Sequence, residues 1–566
     1  MDRLDWTVLT VYLVAIVAFG VWAGRGNQRI DEFFLAGRRM RWWAVGLSVM
    51  ATQISAITFV GTTGQAYTDG MRFLVFYFGL PFAMVTLCVT VVPFFYRARV
   101  FTAYEYLEKR FDLRTRTLTS LLFLFGRGLS VGVTLYAPSL VLSVILGWSE
   151  TSTILLMGGS TIVYVIYGGN RSVIWTDVVQ MAIIWFGIFL CFGVAVAQLP
   201  DRFTLRDGLA LAQTTGRLRV MDFSPSLTAP YTLWSGLVGG FFIMLSYFGC
   251  DQSQVQRYLA GSSLTQSRLS LLFNAFLKVP MQFLILLTGV LVFVFYHFHT
   301  PPLLWNSVEM RKLETAAPPE LAAVRARYEA ALEARTEAAT VFGRGERQSA
   351  AGRYLAANQE VDAARRQAIA LVERINGGKR YNDTNYIFPS YVMAHLPRGL
   401  AGLVIAVIFA AAMSTLSGEF NSLATATMVD FYKRFVRSGG SDAHDLLVSR
   451  ILTAAWGAFA CLVALQAGRF GSAIETVNRF GSYVYGPILG IFALAVLTPG
   501  ATARGAFWGG LAGEAVVGWL VWRSPVHFLW YTLIGAAAVF VVGLGISAAA
   551  SRGAMPQSAN PRGASS

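Results

Sequence analysis

Hydroxyl-bearing side chains recur inside two stretches of this chain that are otherwise apolar enough to enter a bilayer, and the chemistry they offer is that of oxygen donors. The first stretch, from Trp42 to Gly70, carries Ser48, Thr52, Gln53, Ser55, Thr58, Thr62 and Thr63. The second, from Phe409 to Leu423, carries Ser414, Thr415 and Ser417. An unpaired polar group in hydrocarbon costs several kcal/mol, so such helices must be shielded by protein or line a wet cavity. Tight packing is the other reason for small residues, because they let helices approach closely. Ala51 to Ser55 reads as a break in the first helix. A break frees backbone carbonyls, and carbonyls together with hydroxyls suit a small hard cation such as sodium, for which no His or Cys cluster competes.

Arg127 is the second chemical signal. A guanidinium inside an apolar span is costly, so it faces a cavity or a partner, and its fork matches a carboxylate through two parallel bonds. The two readings are a carboxylate of a bound solute and an acid or carbonyl of the chain itself. Arg479, within Thr476 to Phe480, is a further cation that either meets a solute or closes an inner gate. The five histidines sit at span ends or in loops with no metal spacing and no nucleophile beside them, which argues against an enzyme.

The elements that must hold these residues are membrane spans. Of 566 residues 55% are hydrophobic and 14% charged, the composition of a polytopic membrane protein. Apolar runs predict about thirteen spans, near 5–24, 42–69, 73–96, 117–147, 151–167, 177–199, 233–250, 269–297, 399–429, 446–467, 472–497, 505–522 and 527–548. The formal charge of +15 resides in short loops without interleaved aromatics, so it reports topology and not a nucleic-acid partner. Basic clusters at Arg25–Arg41, Arg97–Arg116, Arg257–Arg268 and Lys433–Arg450 follow odd-numbered spans and are expected in the cytoplasm. The N-terminus is then outside, and the tail, residues 549–566, is cytoplasmic and of disordered composition. Spans one to eight occupy residues 1–299 and spans nine to thirteen residues 398–548. Between them, residues 300–397 are expected outside as a helical hairpin of Pro318–Thr340 and Glu346–Asn376, supported by alternating charges. Cys88, Cys191, Cys250 and Cys461 fall in apolar runs and read as buried small hydrophobes. Nothing at Asp2, Arg3 or Asp5 suggests a cleavable signal.

Spans two to six and seven to eleven can be laid over each other as five-helix units of opposite orientation. Against that layout, several phrases resemble the solute:sodium symporter family: FLAGRRMRWWAVGLSVMATQISAITFVG (34–61), Tyr167-Gly-Gly169 with Val173 to Asp177, Gln256 to Ala260, and AAAMSTLSGEFNSLAT (410–425) with Asp430 to Lys433. The resemblance runs from Asp5 to Ser547 apart from the hairpin. It implies a LeuT-type fold of two inverted five-helix repeats, sodium-coupled uptake by alternating access, and a single chain sufficient for transport. Carried over by position, sodium is held by the backbone of Ala51, Ile54 and Ala411 and by the hydroxyls of Ser414 and Thr415. A second sodium, present in some members, matches Asp177, Ser414, Ser417 and Gly418, although Gly418 lacks a hydroxyl found in relatives. The other role for Asp177 is a cap in the first turn of the sixth span.

Substrate positions by the same resemblance are Ser55, Thr58, Phe73, Tyr77, Arg127, Met244, Tyr247, Lys278 and Asn478. Thr58, Tyr77 and Met244 replace the amides and acid of the sugar-carrying branch, while Lys278 and Tyr247 remain. Gly126-Arg127-Gly128, with Ser55 and Thr58 on one helical face, is similar to branches that carry carboxylates, including sialic acid. The implied function is uptake of a small organic anion with Na+ across the cell membrane. A sodium/sugar symporter and a non-transporting receptor on the same fold are the alternatives, and the chain has no filter-like repeat of a channel.

Overall fold

The structure, a computed structural model, describes residues 1–200, 203–467 and 473–553, with the side chains of 473–482 and 551–553 outside that description. The described residues form an all-α assembly. Its elements before the hydrophilic insertion are α1 (Arg3–Ala23), α2 (Trp42–Gln53), α3 (Thr62–Asp69), α4 (Leu113–Leu146), α5 (Glu150–Ala197), α6 (Gly240–Cys250), α7 (Gln252–Leu259) and α8 (Leu264–Phe295). The insertion carries α9 (Pro318–Gly343) and α10 (Arg347–Ile375), followed by α11 (Leu400–Ala426), α12 (Asp442–Ala467), α13 (Ala473–Leu497), α14 (Ala503–Arg523) and α15 (Tyr531–Gly553). Among the described residues, eight helices are long and apolar enough to cross a bilayer. Fewer elements than expected spans result because some spans are broken into short helices and others are fused.

The first break falls within Ala51 to Ser55, as expected. α2 stops at Gln53, and Ile54 leaves the helix at φ −94°, ψ 86°. The chain turns helical again through a single π-turn at Ile57–Gly61 before α3. A second break was not legible. α6 ends at Cys250, Asp251 is extended at φ −81°, ψ 122°, and its carboxylate accepts the Ser253 amide N–H at 2.9 Å to start α7. A π-turn, Ser235–Gly239, also precedes α6. Each five-helix unit therefore opens with a broken helix bearing one π-turn, a feature found at functional sites.

Span boundaries shift in one place that matters. The expected spans 151–167 and 177–199 are one element, α5, sharply bent at Gly169 with φ 52°, ψ −151°. A Cβ there would run into the Phe33 carbonyl, so glycine is required by both backbone and space. Helix resumes directly after Gly169. Asp177 is thus about two turns inside it, and the first-turn capping role is corrected: no free N–H groups lie at that depth.

α11 is the axis of the bundle, with every residue from Val404 to Ala426 buried. A helix apolar on all sides belongs in the interior, and here its hydroxyls are turned inward with the rest. The four basic clusters gather on one face. Arg38 Nη2 donates to the Val100 carbonyl at 2.8 Å, Met40 N–H to the Ala260 carbonyl at 3.1 Å, and Arg116 pairs with buried Asp430 at 2.6 Å. Across the length of α1, about 31 Å at 1.5 Å per residue, the Asp5 carboxylate accepts the amide N–H groups of Gly399 and Gly402 at 2.8 and 2.9 Å. The chain's start therefore lies beside the end of the 300–397 segment. α9 and α10 pair through Arg327 and Glu360 at 2.7 Å and enclose a small apolar cluster that includes Tyr328, Leu332 and Val361.

Candidate functional site

The broken end of α2 lies directly against the middle of α11. Ser414 Oγ donates 3.2 Å to the Ala51 carbonyl and is 3.1 Å from that of Ala411, while Thr415 Oγ1 is 3.3 Å from the Thr52 carbonyl and 3.1 Å from Ala411. Ser414 is fully buried and Thr415 nearly so. Hydroxyl and carbonyl oxygens from two helices thus converge where Ile54 leaves α2. This donor set is all oxygen, as a hard alkali cation requires, and among the described residues no cluster of His, Cys, Asp and Glu forms a rival metal centre. The Thr52 carbonyl is an oxygen that the sequence did not single out; it lies two residues before Ile54, in the last turn of α2.

Deeper toward the basic face, Asp177 accepts from Ser48 Oγ at 2.6 Å and faces Arg257 Nη2 at 3.4 Å. Ser417 Oγ donates to the Ser414 carbonyl at 3.0 Å. The Arg257 guanidinium rests on Gly418, where any Cβ would collide with it, and its Nε donates to Ser48 at 2.9 Å. Asp177 and Gly418 both lie against Arg257, so the cation beside them is an arginine of the chain. Arg257 was visible only as part of a motif, because its partners lie on three other helices.

Arg127 does not stand free. Its Nε is 3.0 Å from Asp251 Oδ2 and 3.2 Å from Glu419 Oε2, its Nη2 bonds Asp251 as well, and Nη2 donates to Tyr485 Oη at 2.7 Å. The rings of Tyr247 and Tyr485 flank it with centroids 5.3 and 5.7 Å from Cζ. Of the two readings of this residue, the chain's own acids take the fork in this conformation. Two carboxylates on one guanidinium hold α4, the Asp251 break and α11 together.

The remaining positions carried over from the resemblance lie in separate local contacts. Ser55 and Thr58 hydroxyls are 3.4 Å apart. Gln53 Nε2 reaches Met244 Sδ at 3.4 Å. Phe73 packs edge-on against Tyr77 and Tyr231. The Lys278 ammonium, fully buried on α8, has no hydrogen-bond partner among the described residues and lies 5.1 Å from the Tyr77 ring centroid. Asn478 and Arg479 fall on α13 where side chains lie outside the described residues.

A helical membrane bundle with a broken helix opening each repeat, and oxygen donors gathered at one break, defines the class of LeuT-type secondary transporters. A solved Na+-coupled sialic acid symporter, substrate-bound and outward-open, has the same fold: TM-score 0.76 at 24% identity, over 97% of this chain and 98% of that one. The sodium:solute symporter family model matches residues 33–311 and 366–513. The chain belongs to the sodium:solute symporter family, and Na+ is its coupling ion. It is 28% identical over 550 residues to the sodium/sialic acid symporter NanT of Aliivibrio fischeri, covering 95% of this chain and 92% of that protein. It is also 28% identical over 521 residues to human sodium-coupled monocarboxylate transporter 1, covering 91% and 73%. The family match omits all of α9 and about two thirds of α10.

Removing Arg127 leaves Asp251 and Glu419 buried without their cation, a loss of about 3–5 kcal/mol for a broken buried pair. Arg127→Met therefore lowers the unfolding temperature in detergent, and adding Glu419→Gln recovers part of it by removing one uncompensated charge. Equal melting of wild type and Arg127→Met contradicts this assignment.

Proposed function

We propose that this chain imports a small organic anion, a carboxylate such as sialic acid or a monocarboxylate, together with Na+ by alternating access. Na+ would be held by the Ser414 and Thr415 hydroxyls and by backbone oxygens of Ala51, Ile54 and Ala411. When bound, it supplies a positive charge that links α2 to α11 at the break. Ser414 and Thr415 already reach across to α2, so their hydroxyls need only turn their lone pairs inward to act as ligands.

The observation that carries the anion reading is Lys278. Burying an ammonium with no acid or hydrogen-bond acceptor is strongly unfavourable, and a carboxylate beside it relieves that cost. Ser55 and Thr58 sit on the neighbouring side of the break with hydroxyls to donate. Arg127, engaged by Asp251 and Glu419, acts on the solute only if those acids release it. Asp177, Ser417 and Gly418 are offered a guanidinium in this conformation, so coupling by a single Na+ at the Ser414 site is the simpler stoichiometry.

The orientation proposed is N-terminus and hairpin outside, basic face and tail in the cytoplasm, following the bias of Lys and Arg toward the cytoplasmic side. All four cysteines are buried, so added ones report cleanly. An impermeant maleimide should label Ser349→Cys in intact cells and spare Ser438→Cys, both exposed positions; the opposite pattern overturns the orientation.

Uptake into proteoliposomes tests the coupling. Ser414→Ala with Thr415→Ala should weaken Na+ activation by roughly ten- to hundredfold per lost oxygen, at about 1.5–3 kcal/mol for a bond to a charged group. Uptake that runs equally well on potassium or a proton gradient alone, or is indifferent to the double substitution, refutes it.

A further inference from the structure

α8 lies along both halves of the broken helix. A Cβ on Gly46 of α2 would meet the Ser270 carbonyl at 3.1 Å, and one on Gly289 of α8 would collide with the Thr63 carbonyl of α3. The face of α8 turned this way repeats polar residues every four positions: Asn274, Lys278 and Gln282. That spacing stacks them in one stripe, and eight residues at 1.5 Å each make it about 12 Å long.

All three side chains are fully buried. Neither polar atom of the Asn274 carboxamide has a hydrogen-bond partner among the described residues, and the same holds for Lys278 Nζ and Gln282 Oε1. Gln282 uses only its amino end, donating to Thr62 Oγ1 at 3.0 Å, and Thr62 in turn donates to the Thr58 carbonyl. At the end of α2, which packs against α8, Gln53 Oε1 is buried and unpartnered as well, with its Nε2 on the weak acceptor Met244 Sδ. Buried polar groups in folded proteins are nearly always paired, and a run of exceptions along one stripe needs a common cause. Helix packing is not that cause, since apolar residues would pack there without penalty.

We propose that Asn274 and Gln282, one turn to either side of Lys278, are specificity-determining contacts that with Gln53 select an acid bearing hydroxyl or amide groups beyond its carboxylate. This rests on the anion reading of Lys278 and narrows it. The ammonium meets the carboxylate; the carbonyl oxygens of Gln53 and Gln282 accept from donor groups of the solute, and the Asn274 carboxamide both donates and accepts. A short acid with an apolar remainder leaves these amides unpaired and is rejected for that reason, as a site built for hydrogen bonds rejects an analogue that lacks them.

The test uses full-length protein in proteoliposomes, with sialic acid, its methyl ester and butyrate competing for sodium-driven uptake of labelled sialic acid. Wild type should prefer sialic acid to butyrate by at least a hundredfold. Gln282→Met and Asn274→Leu, which keep the volume and remove the amide, should each weaken sialic acid by about tenfold and leave the weak butyrate inhibition unchanged. Gln282→Asn keeps an amide with shorter reach and should lose affinity in the same direction; sodium binding without solute, read by tryptophan fluorescence, reports that each variant is folded. Sialic acid affinity unchanged in the folded variants, or butyrate carried as well as sialic acid by wild type, overturns the ladder. Equal affinity for the methyl ester and the acid, or no uptake of any acid, overturns instead the anion reading on which it stands.

Discussion

A break in a buried helix creates an obligation, because carbonyls released from the helix cannot be left bare in an interior without water. In this chain the carbonyls of Ala51 and Thr52 meet it on α11, through Ser414 and Thr415. Much else follows from that meeting. α11 must be enclosed on all sides to bring hydroxyls to the bundle axis, α2 must stop at Gln53, and α8 must run along both halves to close the gap between them. Hydroxyls are suited to the task because they can donate to a carbonyl or turn and offer lone pairs to a cation without moving the backbone.

Charge is arranged around the same axis. Asp177, Asp251 and Glu419 face Arg127 and Arg257, so three buried carboxylates share two guanidiniums near the centre of the bundle. The Lys278 ammonium on α8, by contrast, has no hydrogen-bond partner among the described residues. The same acids tie the second break, at Asp251, to the axis, so the two repeats are coupled through Arg127.

The parts of this arrangement that were legible in the sequence are those with a local signature. Hydroxyls at close spacing in an apolar run mark α2 and α11, and the polar stretch from Ala51 to Ser55 holds the first break. Asp251 hides the second break because an acid after Cys250 looks like the end of a span, and only the Ser253 cap shows that a helix begins again. Arg127 was recognisable as a buried cation, yet its acids are 124 and 292 positions away, beyond the reach of any periodicity. Gly169 concealed the start of the sixth span, since a bend at positive φ keeps the apolar run continuous and moved Asp177 from a helix end to its interior. The Asn274, Lys278 and Gln282 stripe could have been found from its four-residue spacing alone.

The central claim is that Na+ secures the end of α2 to α11. Hydrogen exchange over residues 48–58, followed by mass spectrometry without solute, measures it directly, because the Ile54 amide bonds back to the Met50 and Ala51 carbonyls and frays if the break loosens. Exchange there should slow in sodium relative to potassium at equal ionic strength, with α9 and α10 unaffected. Identical exchange in the two salts would contradict the account.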